Sequence, residues 1–245
     1  AIEQARRWLG TLFGPRRYFR VDVAGWHHLP EAPVMVVSNH SGGSLFLDSW
    51  GLGWAWYTHF GTDRPIHPAV HEMLLTNPWT GRFFATRGAV RADGQVARRV
   101  LEEWRDDLLV MPGGDLDVWR PYSKRFDVQF AGRTGYARIA LLAGVPAVPV
   151  ANAGAHETLL VLTDGQRFAR FLGLPKIARA HVFPVHLSLP WGLGVGPWPH
   201  LPLPTTLRYR FGRPVYPHEV GVSAGRPPTD EQIAAFDQKV RAGVQ

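Results

Sequence analysis

Cysteine is absent from the 245 residues, which rules out disulfide cross-links and thiolate metal sites and fits a reducing compartment. Lysine is scarce: Lys124, Lys176 and Lys239 are the only three, and arginine carries the rest of the positive charge. No uninterrupted apolar stretch approaches the roughly 20 residues that span a bilayer, which excludes an integral helical membrane protein for the covered chain. Internal repeats and low-complexity tails are also missing, so repeat arrays and disordered tails are out. The chain does not begin with methionine, which is compatible with a trimmed upstream signal or anchor and does not decide it.

What is present points elsewhere. A net charge of +7 and a pI near 10.2 favour an anionic partner, whether nucleic acid, a phosphorylated substrate or an acidic membrane surface. Arginine's planar fork suits phosphate. Ten tryptophans, three of them close together at Trp50, Trp54 and Trp56, form an unusual load of a residue favoured at apolar–wet boundaries. Nucleic-acid binding calls for basic residues interleaved with stacking aromatics, and the run Arg16-Arg17-Tyr18-Phe19-Arg20 is the only such cluster. Membrane headgroups explain that run equally well, and no nucleic-acid partner is expected.

Hydrophobic periodicity predicts an α/β fold, with a mixed, largely parallel sheet flanked by helices. Ile2 to Phe13 has helical spacing, with Ile2, Ala5, Trp8, Leu9, Leu12 and Phe13 on one face. Residues 1–20 are read as an amphipathic membrane-contacting helix and residues 21–245 as a single domain. Strands are expected at Val21–Ala24, Val34–Val37, Phe83–Thr86, Asp107–Met111, Val145–Val150 and Leu207–Phe211. Helices are expected to begin near Ser44, at Asp93 as a cap, at Tyr136 with closure by Gly144, and at Thr229, where Thr229-x-x-Gln232 is a capping box. Strand, helix and strand from Asp107 to Val150 make a parallel crossover. Residues 181–204 read as a long loop or lid, and 221–228 as a linker.

The chemistry centres on Val36-Val37-Ser38-Asn39-His40-Ser41-Gly42-Gly43, with Asp48 downstream. A histidine at the carboxyl end of a strand sits where open α/β sheets place ligands. A neighbouring carboxylate would fix its tautomer and raise its basicity, and a structural pair is an equal reading of these two residues alone. Three other patterns fail on context. Gly221-x-Ser223-x-Gly225 has the nucleophile-elbow spacing, but Pro227 and Pro228 follow and no histidine lies beyond His218. His67, His71 and Glu72 resemble half a metal site, but Pro68 makes His67 a helix cap rather than a ligand. Gly192-x-Gly194-x-Gly196 has no helix to open.

Four blocks in fixed order add specificity: Asn39-His40 with Asp48, Gly81 to Arg87, Met111-Pro112-Gly113-Gly114, and Gly144 to Val150. Together they resemble the glycerolipid (lysophospholipid) acyltransferase superfamily, whose blocks read N-H-x4-D, G-x-x-F-x-x-R, a Gly-containing acidic turn and a V-P-I-V-P-like strand. The likeness covers about Val34 to Glu157. Two departures stand out: the usual acid position is Leu45, and Pro112-Gly113-Gly114-Asp115 replaces E-G-T-R. Both features, with Arg133-Thr134-Gly135-Tyr136 and Gly154-x-x-Glu157, resemble the mono- and diacylglycerol acyltransferase branch.

The resemblance implies that His40 is the general base, oriented by Asp48, for moving a fatty acyl chain from acyl-CoA or acyl carrier protein to a glycerolipid hydroxyl. Its first expectation for the acceptor is a lysophospholipid. A mono- or diacylglycerol or a glycolipid is the alternative, and a non-catalytic membrane-surface binding protein is another. Arg87 would grip an anionic headgroup, and Gly113, Gly114, Arg120 and Arg133 would belong to substrate binding. Gly42 and Gly43, or the Gly113-Gly114 turn, would supply oxyanion donors. Asp115, Asp117 and Glu157 are read as structural. No metal or prosthetic group is implied, the partners being membrane lipids and the acyl donor, at the cytoplasmic face of a membrane.

Overall fold

The computed structural model of the chain describes residues 1–177, 180–197, 200–222 and 227–245. In chain order, α1 (Ile2–Leu9), β1 (Phe19–Ala24) and β2 (Met35–Ser38) precede α2 (Leu47–Phe60) and β3 (Ile66–Val70). Two short helices, α3 (Glu72–Thr76) and α4 (Pro78–Ala85), lead to β4 (Val90–Arg91) and α5 (Gly94–Arg99), which runs on as a π-helical turn through Val100–Trp104. Next come β5 (Asp107–Val110), α6 (Gly114–Val118), α7 (Gly135–Ala143), β6 (Ala147–Ala153) and β7 (Leu160–Thr163). The chain ends with α8 (Gln166–Phe171), α9 (Leu174–Ile177), β8 (Val185–Ser188), β9 (Gly192–Val195), β10 (Thr205–Phe211) and α10 (Asp230–Val244).

Seven strands form one sheet in the order β1-β10-β6-β2-β5-β3-β4. From β6 to β4 every neighbour is parallel, and β10 joins β6 antiparallel while pairing parallel with β1. The largely parallel, mixed sheet is thus as expected. At its centre β2 is buried at every position, because a parallel sheet covered on both faces leaves no solvent side. Successive side chains alternate between two cores. Met35 and Val37 join Leu108, Ala140 and Phe236 beneath α5, α7 and α10. Val34 and Val36 join Leu9, Phe13 and Trp56 beneath α1 and α2. The amino-terminal helix therefore packs its Leu9 into the same core as the central strand while leaving Trp8 exposed.

Buried charge anchors the amino-terminal edge of this sheet. Asp107, fully buried, accepts from Arg64 Nε at 2.6 Å and from the Val34 amide at 2.8 Å. Burial raises its pKa, against the pull of the Arg64 guanidinium.

Several expectations need correction. Phe83 to Thr86 is not a strand: Asn77 caps Trp79 and Thr80, Pro78 takes the first helical turn, and the block Gly81 to Ala85 is helical. Residues 181–204 are not simply a loop, since β8 and β9 pair antiparallel and join β7 in a second, three-stranded sheet. Here period-two alternation from Val185 to Ser188 prevails over the local proline and glycine content. His71, not His67, is the helix cap, accepting from the Met73 amide, whereas His67 lies in β3. The helix over residues 2–13 ends at Leu9. The elbow-like Ser223 and the middle of the 221–228 linker lie outside the described residues, as do positions 198–199 of the 181–204 stretch.

The Thr229–Gln232 capping box forms as expected and opens α10, whose Ile233, Phe236 and Val240 point inward. Phe236→Ala, at a position with no exposure, should lower the free energy of unfolding by about 3–5 kcal/mol in a denaturant titration. A loss below about 1 kcal/mol would mean that α10 is not part of the main core.

Candidate active site

Beyond Ser38 the chain leaves the sheet at its carboxyl end and must turn back sharply. Gly42 (φ 95°) and Gly43 (φ 71°) take left-handed conformations at that turn. A side chain on Gly43 would press against His200, Leu159 and Trp119. A 3-10 turn over Gly43–Leu45 adds two more residues, and Phe46, at φ 50°, stands at the N-cap of α2. This turn explains why the acid stands at Asp48 rather than at 45. Phe46 is one of few non-glycine residues held left-handed, a strained state that clusters at functional sites. Its ring stacks on His40 with centroids 5.7 Å apart.

Asp48, in the first turn of α2, is completely buried. Its Oδ2 faces His40 Nδ1 at 2.6 Å and accepts from the Ser41 amide at 2.7 Å and from Asn152 Nδ2 at 3.1 Å. Its Oδ1 accepts from the Ser49 amide at 2.8 Å. A carboxylate facing Nδ1 sets the tautomer with the proton there and turns Nε2 outward as an acceptor. Tyr209, from β10, donates to the Asp48 carbonyl at 2.7 Å.

Further groups hold the histidine's backbone. Asn39 and Asn152 exchange bonds, side-chain amide to carbonyl at 2.7 Å and backbone amide to side-chain oxygen at 2.8 Å, clamping the ends of β2 and β6 together. Asp117 accepts from the His40 amide at 2.6 Å and from the Gln129 amide at 3.2 Å, and pairs with Arg120. His156 is buried close by, and burial, together with the cations Arg120 and Arg125 and with His40, lowers its pKa to about 3. It stays neutral beside the site.

The remaining expected residues separate. Arg120 is 1% exposed and is spent on Asp117 and on the Arg125 carbonyl, with burial lowering its pKa to about 10. It is a core residue rather than a surface for substrate. Arg133 donates to the Pro112 and Gly113 carbonyls at 3.1 and 3.0 Å and to Asp115 at 3.3 Å, so it props the turn. Within that turn the Gly114 amide is committed to the Met111 carbonyl, and Gly113 packs tightly against Asp117 and Gln129. The Gly113-Gly114 turn is therefore a support for Asp117 and not a source of two oxyanion donors. Arg87 lies just past α4, its guanidinium 3.8 Å from the Phe83 ring centre and bonded to the Phe83 carbonyl at 2.6 Å. It lines a cavity of about 280 Å³ with Gln4, Ala5, Trp8 and Phe83. Phe83 and Phe84 meet Trp50, two residues after Asp48, so an aromatic stack connects Arg87 to the dyad's helix.

Sequence reasoning passed over Asn152, Tyr209, Phe46 and His156. Only Asn152 carried a signal, as a polar residue ending an apolar strand. Among the described residues no group of three or more His, Cys, Asp or Glu side chains is arranged to hold a metal ion.

A His–Asp pair at the carboxyl ends of central parallel strands has the build of an α/β enzyme site equipped for proton abstraction. Residues 20–153, more than half of the chain, match the family model described as Acyltransferase, and the chain belongs to that family. The match takes in His40, Asp48 and Asn152. An uncharacterized protein of Mycobacterium leprae, ML2427, is 28% identical over 233 residues, covering 94% of this chain and 59% of its own length. Rv0502 of Mycobacterium tuberculosis, also uncharacterized, is 30% identical over 201 residues, 82% of this chain and 53% of its own. The chain thus spans somewhat over half the length of these curated relatives. The crystal structure of the 1-acyl-sn-glycerophosphate (LPA) acyltransferase PlsC from Thermotoga maritima shares the fold, with a TM-score of 0.51 at 19% identity, covering 99% of this chain and 74% of that one.

His156 also makes a pH prediction. Its imidazole titrates near 6.5 in the unfolded chain and near 3 in the fold. Below 6.5 the unfolded chain binds a proton that the fold refuses, so this contribution is whole above 6.5 and is lost as pH falls toward 3. Unfolding free energies measured from about pH 7 to about pH 5 should fall more steeply for wild type than for His156→Gln, by about 1 kcal/mol per pH unit. Parallel profiles would show that His156 does not titrate in this way.

Proposed function

We propose that the chain catalyses transfer of a fatty acyl group from acyl-CoA, or acyl carrier protein, to a glycerolipid hydroxyl, with a lysophospholipid as the acceptor. The observation that carries this reading is the 2.6 Å contact between His40 Nδ1 and the buried Asp48 carboxylate, which leaves Nε2 as the base. His40 Nε2 takes the proton of the acceptor hydroxyl as its oxygen attacks the thioester carbonyl carbon. Asp48 stabilises the imidazolium that forms. The tetrahedral intermediate collapses by breaking the carbon–sulfur bond, and the imidazolium returns its proton to the departing thiolate. With the His40 and Ser41 amides taken by Asp117 and Asp48, the left-handed Gly42-Gly43 turn supplies the next backbone N–H groups for the oxyanion.

Arg87, beside its small cavity, receives the headgroup phosphate. The family membership and the fold shared with an LPA acyltransferase support that acceptor class. The protein works at the cytoplasmic face of a membrane, where Trp8 of α1, 60% exposed, and Arg16, Arg17 and Arg20 meet lipid. No resident cofactor takes part. A neutral mono- or diacylglycerol acceptor is the second reading. Arg120 and Arg133 are both occupied by protein groups, and Arg87 folds back on Phe83, which leaves few cations for a phosphate.

His40→Ala should lower turnover by about 10³-fold while the purified protein still binds liposomes. Undiminished turnover would falsify the base assignment, and a wild type inactive with every donor would favour a non-catalytic lipid-binding protein. Parallel assays on lysophosphatidate and monoacylglycerol separate the two acceptors. Arg87→Ala should lose about tenfold or more on the phosphorylated acceptor alone, and equal kinetics on both acceptors would remove its headgroup role.

A further inference from the structure

In the small sheet of β7, β8 and β9, the last two strands turn apolar side chains to the outside. Register pairs Leu187 with Leu193 and Val185 with Val195 on one face, and His186 with Gly194 on the other. The buried face carries His186 and Ser188, with His186 stacked near Trp119. Leu187, Leu193 and Val195 are exposed. An antiparallel sheet with one wet face places its polar residues there; here Val161 joins His186 on the buried side, while β8 and β9 turn their leucine and valine side chains outward.

The same region continues the pattern. Leu189, Trp191 and Leu201 at the hairpin, and Phe171 and Ile177 on α8 and α9, are all more than half exposed, Phe171 at 83%. Phe168 of α8 meets Phe183, two residues before β8, with ring centroids 5.3 Å apart, so these side chains stand on adjoining elements, and exposed apolar surface on that scale marks an interaction site. Cations are interleaved with it: Arg167 and Arg170 flank Phe168 and Phe171 on α8, and Lys176 precedes Ile177. Among the described residues none of these three cations has a carboxylate partner. Arg170, Lys176 and His181 line a cavity of about 430 Å³ beside Leu116 of α6. The Tyr18 hydroxyl donates to the Pro202 carbonyl at 2.8 Å, which brings the Arg16-Arg17 pair to the edge of the same surface.

We propose that this face, formed by α8, α9 and the outer side of the three-stranded sheet, is where the protein docks on an anionic phospholipid bilayer. The apolar side chains enter the headgroup–acyl boundary, and Arg167, Arg170 and Lys176 take lipid phosphates, those of the cavity included. Charge complementarity selects the bilayer: a second copy of the chain would bring more unpaired cations, and an anionic lipid surface brings their counterparts. Docking there also serves the site. Ser44, four residues past His40, donates to the Pro197 carbonyl just beyond β9 at 3.2 Å, and Gly43 packs by His200, so the histidine loop lies directly behind the docked sheet. The inference rests on the membrane-lipid reading of the acceptor.

The test is flotation of the full chain with vesicles of phosphatidylcholine alone or mixed with phosphatidylglycerol. Wild type should float with the anionic vesicles, and less so as salt rises. Trp191→Glu with Leu193→Glu, and separately Phe171→Glu with Ile177→Glu, should each reduce the bound fraction by about tenfold or more, with thermal melts near wild type to establish folding. Trp79→Glu with Trp104→Glu, two exposed tryptophans away from this face, serves as the comparison. The proposal fails if wild type does not float. It fails too if both sheet-face variants float unchanged, if only the Trp79 and Trp104 pair matters, or if the sheet-face variants merely split a dimer in light scattering. Turnover on a short-chain, water-soluble acceptor keeps the two readings apart. A wild type that floats but transfers nothing sinks the acyltransferase reading and leaves the docking face standing. Variants that still transfer to the soluble acceptor and still float sink the docking face alone.

Discussion

A carboxylate with no solvent exposure governs the arrangement of this protein. Burying a lone charge is so costly that it survives only where several donors replace its water. Asp48 finds them in the His40 imidazole, the Ser41 and Ser49 amides and the Asn152 side chain. These groups come from the loop after β2, the first turn of α2 and the end of β6, so the carboxylate is satisfied only when the central sheet and α2 are assembled. The histidine and the fold are in this sense one structure, and the donors that make the charge tolerable also hold the imidazole in one tautomer.

The sheet supplies the frame for that contact. With β6, β2 and β5 parallel and adjacent, their carboxyl ends lie side by side and deliver Asn152, Asn39-His40 and the Pro112-Gly113-Gly114 turn to one place. The turn's task emerges from its partners: Arg133 holds its carbonyls, and Asp117 just beyond it grips the His40 amide. At the opposite edge the Arg64–Asp107 pair joins β5 to the start of β2. Two buried acids thus pin the central strands at both ends. The second sheet closes over the histidine loop and turns its apolar side outward.

Much of this was legible in residue order. Val34 to Val37 could only be a central strand, because an unbroken apolar run suits burial on both faces. His40 with Asp48 stood out because a polar turn follows that strand, and four ordered blocks set the family. Other features had no linear signature. Phe83-Phe84-Ala85-Thr86 looks like a strand by composition, yet Asn77-Pro78 upstream starts a helix that carries through it. Arg120 and Arg133 look like anion ligands until their partners are known. Asn152 and Tyr209 lie more than a hundred residues from Asp48, and no local period announces a contact between β6 or β10 and the start of α2.

The sequence by itself determined the class of fold, the α10 capping box, the glycine turn after His40 and the candidate base and acid, because each depends on local backbone preference or on short-range periodicity. Tertiary structure alone decided which charges are satisfied by the protein and which remain open to a ligand. It also decided which donors surround Asp48, and that the β7–β9 sheet shows its apolar face. Those outcomes depend on which distant segments come to lie side by side. Two arginines of identical chemistry, Arg120 and Arg170, end as a core ion pair and an exposed cation because one is folded beside Asp117 and the other is not.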